Sequence, residues 1–206
     1  AAGGLTMSTG TNGFDGGGGR PNGIYPVLTK GMGEGENPSN LNTNYFMGIT
    51  ADGFVGVDFE DTAGGANHPA WGTTLVPVGE WHHIAVTYTG SCWSIYLDGN
   101  LDALNAAVVA CPNATPESTS YQHAGLAAGI NSAGVLGAGF FAGTIDEARV
   151  WNRALPQNEI QTNRFVELAS GSGLLARWGL NEGTGTIVND SAIPTAENGT
   201  LVNGPT

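Results

Sequence analysis

The sequence is poor in charge: Asp, Glu, Lys and Arg together make up 12% of its 206 residues. Positive charge is scarcest, with one lysine and five arginines against 18 acidic residues, a formal net charge of -12 at pH 7. A surface of that sign repels nucleic acid and anionic lipid, which require clustered Lys and Arg, and it suits calcium or other hard cations. So small a charged fraction also excludes a coiled coil and a charge-rich disordered segment. No apolar run approaches the roughly 18 residues of a membrane span, and no charged-then-apolar secretion signal stands at the start. The chain begins at Ala1 and reads as a processed chain or a fragment.

Cysteine is almost missing too, with only Cys92 and Cys111. They flank the hairpin-like stretch CWSIYLDGNLDALNAAVVAC, in which Asp98-Gly99 is a two-residue turn signal. A disulfide between them would stabilise by roughly 3 kcal/mol on the chain-entropy model and place the protein outside the cytoplasm. Two buried thiols are the alternative. Three acceptor-type tripeptides, starting at Asn113, Asn189 and Asn198, are candidate glycosylation sites.

Glycine and proline are abundant, 34 and 10 residues, in a chain that is 40% apolar. That balance suits many short strands joined by tight turns, and the length is enough for one ordinary domain with a sizeable core. Residues 1–23 read as an extended Gly/Thr/Asn-rich loop. Strands are expected at residues 24–30, 45–50, 54–59, 73–76, 81–88, 93–97, 123–130, 144–151 and 174–180, most of them bounded by Gly, Asn or Asp. In residues 81–88, Ile84, Val86 and Tyr88 alternate with His83, Ala85 and Thr87, the period of a half-buried strand. One short helix is expected within residues 154–169. The fold class is therefore all-β, an antiparallel sandwich with one short helix.

Two stretches, VPVGEWHHIAVTYTGSCWSIYLDGN and FFAGTIDEARVWNRALPQNEI, resemble the signature segments of laminin G-like domains. These are concanavalin A-like jelly rolls of bacterial secreted proteins, related to pentraxins. The resemblance covers roughly residues 24–168. It implies two curved antiparallel sheets, often with calcium at the rim, in a family whose members are commonly adhesive or carbohydrate-binding modules.

Domains of that family usually begin with a strand of the type L-x-x-x-W-x-x-x-E-G-x-G, a D-S loop and G-x-L. Here Leu175, Trp178, Glu182, Gly183 and Gly185, then Asp190-Ser191 and Gly199-Thr200-Leu201, match that beginning but stand after the expected helix. The division drawn is a jelly roll over 1–170 lacking its usual first strand, followed by a linker and a first-strand-like segment over 171–206. The displaced strand either closes its own domain, begins the next domain of a cut tandem array, or is donated to a neighbouring subunit. Donation would give a head-to-tail contact able to propagate as a filament or fibre.

For metal chemistry, Asp146 shares a strand face with Ala148 and Val150. If that face points inward, the carboxylate needs a cation, an arginine or N–H donors. In related jelly rolls a similarly placed aspartate binds structural calcium. A second acidic group, Asp58, Glu60, Asp61 and Asn67 with Glu34 or Glu36, offers hard oxygen ligands; the alternative is a solvated acidic sheet end. The spacing is not that of an EF-hand, and adjacent His82 and His83 point to opposite faces, which weighs against zinc.

Enzymatic readings find little. Glucanases of this fold carry an E-x-D-x-E or E-x-D-x-x-E strand, and Asp58-Phe59-Glu60 supplies two acids on one face without the third. No G-x-S-x-G elbow occurs, and the glycine run at 16–19 is not followed by G-K-[ST]. Among aromatics, Trp71, His68, Tyr45 and Trp93 could present sugar-stacking faces. Trp71, in a Pro/Gly/Asn-rich loop, and His68 are the ligand-contact candidates, while Trp81, Trp151 and Trp178 are assigned to the core. The reading is a non-catalytic extracellular structural or adhesive module, with itself or an extracellular glycan as partner. The alternative is a calcium-dependent carbohydrate-binding module, and a glycoside-cleaving enzyme stands third.

Overall fold

The computed structural model describes residues 24–31, 43–168, 170–192 and 196–202. The loop expected over 1–23, its glycine run, and Glu34 and Glu36 lie outside the described residues. The chain divides into two compact units, Ala1–Gly143 and Thr144–Thr206.

The first unit contains a five-stranded antiparallel sheet in the order β4-β3-β2-β1-β8. Its strands are β1 (Ile24–Lys30), β2 (Tyr45–Thr50), β3 (Phe54–Asp58), β4 (Ala70–Leu75) and β8 (Ala124–Leu126). A three-stranded sheet joins β5 (Ile84–Tyr88), β6 (Trp93–Leu97) and β7 (Asn100–Asp102). A further pair joins β9 (Ala128–Ile130) and β10 (Leu136–Phe140). Val55, Val57, Phe59 and Ala70 from the first sheet and its β3–β4 connection pack against Trp93 and Ile95 of β6, with Ile84, Val86 and Tyr88 of β5 beside them. The rings of Phe59, Tyr88 and Trp93 meet one another at centroid distances of 4.8–5.2 Å. This two-sheet core is that of an antiparallel β-sandwich of the jelly-roll class.

The second unit pairs β11 (Ala148–Trp151) with β12 (Leu174–Trp178) and β13 (Ile187–Val188) with β14 (Gly199–Thr200), and contains the one helix among the described residues, α1 (Gln157–Asn163). Arg149 sits opposite Arg177 and Val150 opposite Ala176 in the antiparallel register. The strand displaced to the end of the sequence is thus hydrogen-bonded within its own chain.

Several expected elements shift. Residues 81–83 are not strand, because His83 N–H and C=O both bond to Asp98 and not to a ladder partner. The expected strand at 123–130 breaks in two at Ala127, whose φ is 61°. The strand at 144–151 begins only at Ala148, because Glu147 has a φ of 52°. The helix, starting after Pro156, falls within the residues expected for it.

Candidate functional site

The acidic group on the β3–β4 connection is assembled, but inward. Asp58 and Glu60 are 1% and 0% exposed, and Asp61 and Glu117 are also buried. Asp58 Oδ1 accepts hydrogen bonds from the backbone N–H groups of Phe59 and His68, both at 2.8 Å. Glu60 Oε2 accepts from Thr43 N–H at 2.9 Å. Asp61 Oδ1 takes three backbone donors, from Ala63, Gly64 and Ala66, while its Oδ2 meets His68 Nε2 at 2.9 Å. Asn67 bridges to Glu60 through the backbone. The His68 bond, with help from the Gly64 and Ala66 amides, holds the Asp61 carboxyl below the usual carboxylate range. Glu117 is held low in the same way by Thr119. These carboxylates serve as acceptors for irregular backbone, which buried loops require.

Calcium takes six to eight oxygens from ligands that converge on one point. Among the described residues no three Asp, Glu, His or Cys side chains form such a group. Both oxygens of Asp61 accept hydrogen bonds from the chain's own donors. Among the described residues, Asp58, Glu60 and Asp61 thus do not converge as a ligand set for one cation.

Asp146 does not lie on an inward strand face. It precedes β11, is exposed, and its Oδ1 accepts from Glu147 N–H at 3.0 Å. The positive φ of Glu147 breaks the alternation on which an inward Asp146 depended. Glu147 is the acid that turns to the β11–β12 ladder. Its carboxylate accepts from Arg177 and from Arg149, the latter at 2.7 Å. Arg177, 6% exposed, also donates to Glu167 and to Ser191 Oγ, both at 2.8 Å. Burial opposes ionisation of Glu147, but the two guanidinium groups outweigh it and hold its pKa below the ordinary glutamate value. Asp190 adds three backbone acceptances, from Arg177, Ala192 and Glu197. The sequence signal for this group was present: in a chain with five arginines, two lie on apolar strands, and a buried arginine demands an acidic partner.

Cys92 and Cys111 are joined in a disulfide. Asn113, Asn189 and Asn198 are all exposed; Asn113 Nδ2 donates to Cys111 O, Asn189 Nδ2 to Glu182, and Asn198 Oδ1 accepts from Asp190 N–H.

The aromatic candidates exchange places. Trp71 is 4% exposed, so its faces are closed to a ligand. The His68 ring lies 5.0 Å from that of Phe59 and is tied to Asp61. Trp93 belongs to the core, and burial pushes the Tyr45 hydroxyl up to about 12. Trp81, expected in the core, is 66% exposed. It stands on the connection between β4 and β5, directly before the two histidines. Asp98, at the tight turn after β6, accepts from His83 N–H through Oδ1 and meets His82 Nδ1 through Oδ2, each at 2.9 Å. Asp98 N–H in turn donates to His83 O at 2.7 Å. The residues following Trp81 are therefore clamped to the hairpin turn.

A family model described as the concanavalin A-like lectin/glucanases superfamily, of laminin G type, matches residues 27–161. The chain belongs to this superfamily. Its jelly roll also resembles a crystal structure from Bacteroides ovatus described as that of a candidate carbohydrate binding protein. The two are 17% identical with a TM-score of 0.51, and the alignment covers 96% of this chain and 56% of that one. At that identity the likeness is one of fold, and the chain spans little more than half the length of the other protein. The comparison with curated proteins gave no match. Within the superfamily frame, the WHH and IDEARVW segments that carry the sequence resemblance are the Asp98 clamp and the Glu147 ion network.

Proposed function

We propose that this chain is a non-catalytic, glycan-binding module that works outside the cytoplasm. One observation carries the reading: on a lectin/glucanase fold, the acid pair that most resembles a glucanase set, Asp58 and Glu60, is sealed from solvent and bonded to backbone N–H groups. Retaining and inverting glycosidases need two carboxyl groups flanking a bound sugar, one of them able to give up a proton. Buried acceptors of backbone hydrogen bonds can do neither. Binding without cleavage is the chemistry that remains, and the description of the structural neighbour points the same way. The Cys92–Cys111 bond supports an oxidising compartment. The filament reading receives no such support, since the strand it would donate is paired with β11.

Retention on immobilised polysaccharides, combined with a reducing-sugar assay on the same panel, tests the proposal. Retention on at least one polysaccharide with no sugar released is expected. Release of reducing ends that Asp58→Asn abolishes would overturn the non-catalytic reading, and retention on none would overturn glycan binding.

A further inference from the structure

The geometry points to Trp81 as the stacking platform of a subsite for neutral hexopyranose units, with Glu80 and Asp98 as its hydrogen-bonding rim. The inference rests on the glycan-binding reading and adds to it a place on the molecule and a class of sugar.

Three observations combine. First, a tryptophan leaves about two thirds of its area in water, 66%, on a connection that also holds Val78 at 96% exposure. An indole face is a large apolar platform with a polar edge, suited to the flat C–H face of a pyranose. Second, the backbone directly after the platform is anchored. His82 and His83, the next two residues, are bonded to Asp98 through a side chain and both backbone groups, and Asp98 with Gly99 forms a tight turn with φ of 51° and 77°. A platform carried on backbone anchored before the ligand arrives loses less freedom on binding than one on a free loop.

Third, the rim consists of acceptors. The side chains of Glu80 and Asp98 are 65% and 42% exposed. An ionised carboxylate only accepts hydrogen bonds, so His82 Nδ1, 2.9 Å from Asp98 Oδ2, carries the ring proton toward Asp98. His82 Nε2 lies 3.7 Å from Glu80 Oε1, beyond hydrogen-bonding distance. A rim of this kind calls for O–H donors, which a neutral sugar has in plenty. It repels sulfated or uronic-acid glycans, and the net charge of -12 repels them further.

The test is isothermal titration and affinity electrophoresis of the full chain on neutral glucans, mannans and galactans and on sulfated and polyuronate polysaccharides. Wild type, Trp81→Ala and Trp81→Phe are compared, with melting temperatures recorded for each. The expected result is binding to a neutral polysaccharide, none to the anionic ones, and a loss of about tenfold or more in Trp81→Ala that Trp81→Phe largely restores. Binding by wild type that Trp81→Ala leaves intact would overturn the subsite while leaving the glycan reading in place. Preference for anionic polysaccharides would overturn the sugar class. A melting temperature lowered in both variants would make Trp81 a packing residue and overturn the platform. No binding by wild type to any polysaccharide removes the parent reading itself.

Discussion

Arg177 ties together separate parts of the second unit: its side chain bonds to Glu147, Glu167 and Ser191, and its backbone N–H reaches Asp190. Removing a buried charge's partner leaves the other charge without compensation, which is more damaging than deleting both. Arg177→Met should destabilise by about 3 kcal/mol, the lower end of the range for a broken buried pair, because Glu147 keeps some solvent contact. The double change Arg177→Met with Glu147→Leu should recover part of that loss. Chemical denaturation of the three proteins checks it, and a double variant weaker than the single one would show that the ion pair is not the source. At this scale the sequence was legible where a residue's neighbours settle its role, as at Asp98 before Gly99. It was illegible where one dihedral decides. Nothing in the letters around Glu147 signals a positive φ, yet that angle exchanges the roles of Asp146 and Glu147.

Strands with clear alternation or dense β-branched and aromatic content, such as β1, β2 and β6, were readable with the bounds they have. β7 was not, because three residues carry no period, and β10, LGAGF, has too little side-chain contrast to show a face. Trp81 was misread because its stretch continues the alternation of β5 on paper, while in space Asp98 captures the backbone of His83 and ends the strand there. The exposure of Trp81 was therefore hidden behind a correct periodicity.

The disulfide belongs to this scale as well, since it ties the start of β6 to the connection that follows β7. Trp93 N–H bonds to Ala110 O alongside it, and Asn113 N–H to Ser91 O. Closing a loop with a separation of 19 residues should contribute about 3 kcal/mol, mainly by restricting the unfolded chain. Cys92→Ser with Cys111→Ser should lower the urea midpoint accordingly while leaving the far-ultraviolet dichroism of the folded protein unchanged. An unaltered midpoint would mean that the hydrogen bonds alone fix this connection.

Over the whole molecule, Asp61, Glu117 and Glu147 are all held below their ordinary pKa values. A carboxyl group with a lowered folded-state pKa adds stability that is complete above the unfolded value, about 4, and is lost as pH falls through the folded value. Stability from these groups should thus be level from about pH 5 upward and fall steeply below about pH 4. Asp61→Asn should be less stable than wild type at neutral pH and should flatten the acid limb, as thermal melts across the pH range would show. A variant with an unchanged acid limb would remove Asp61 from the set.

The pairing of β11 with β12 also has a consequence in time. Glu147 and Arg177 stand 30 residues apart, with the helix between them. A ribosome adds about 5–20 residues per second, so Glu147 emerges seconds before Arg177, the more distant of its two guanidinium partners. Until then β11 is a nascent strand without the ladder partner it has in the folded unit, and Glu147, directly before it, has only Arg149 to pair with. The second unit is then completed only when β12 follows the helix, and a ribosome that stalls between them leaves a product whose second unit quality control can recognise as unfinished.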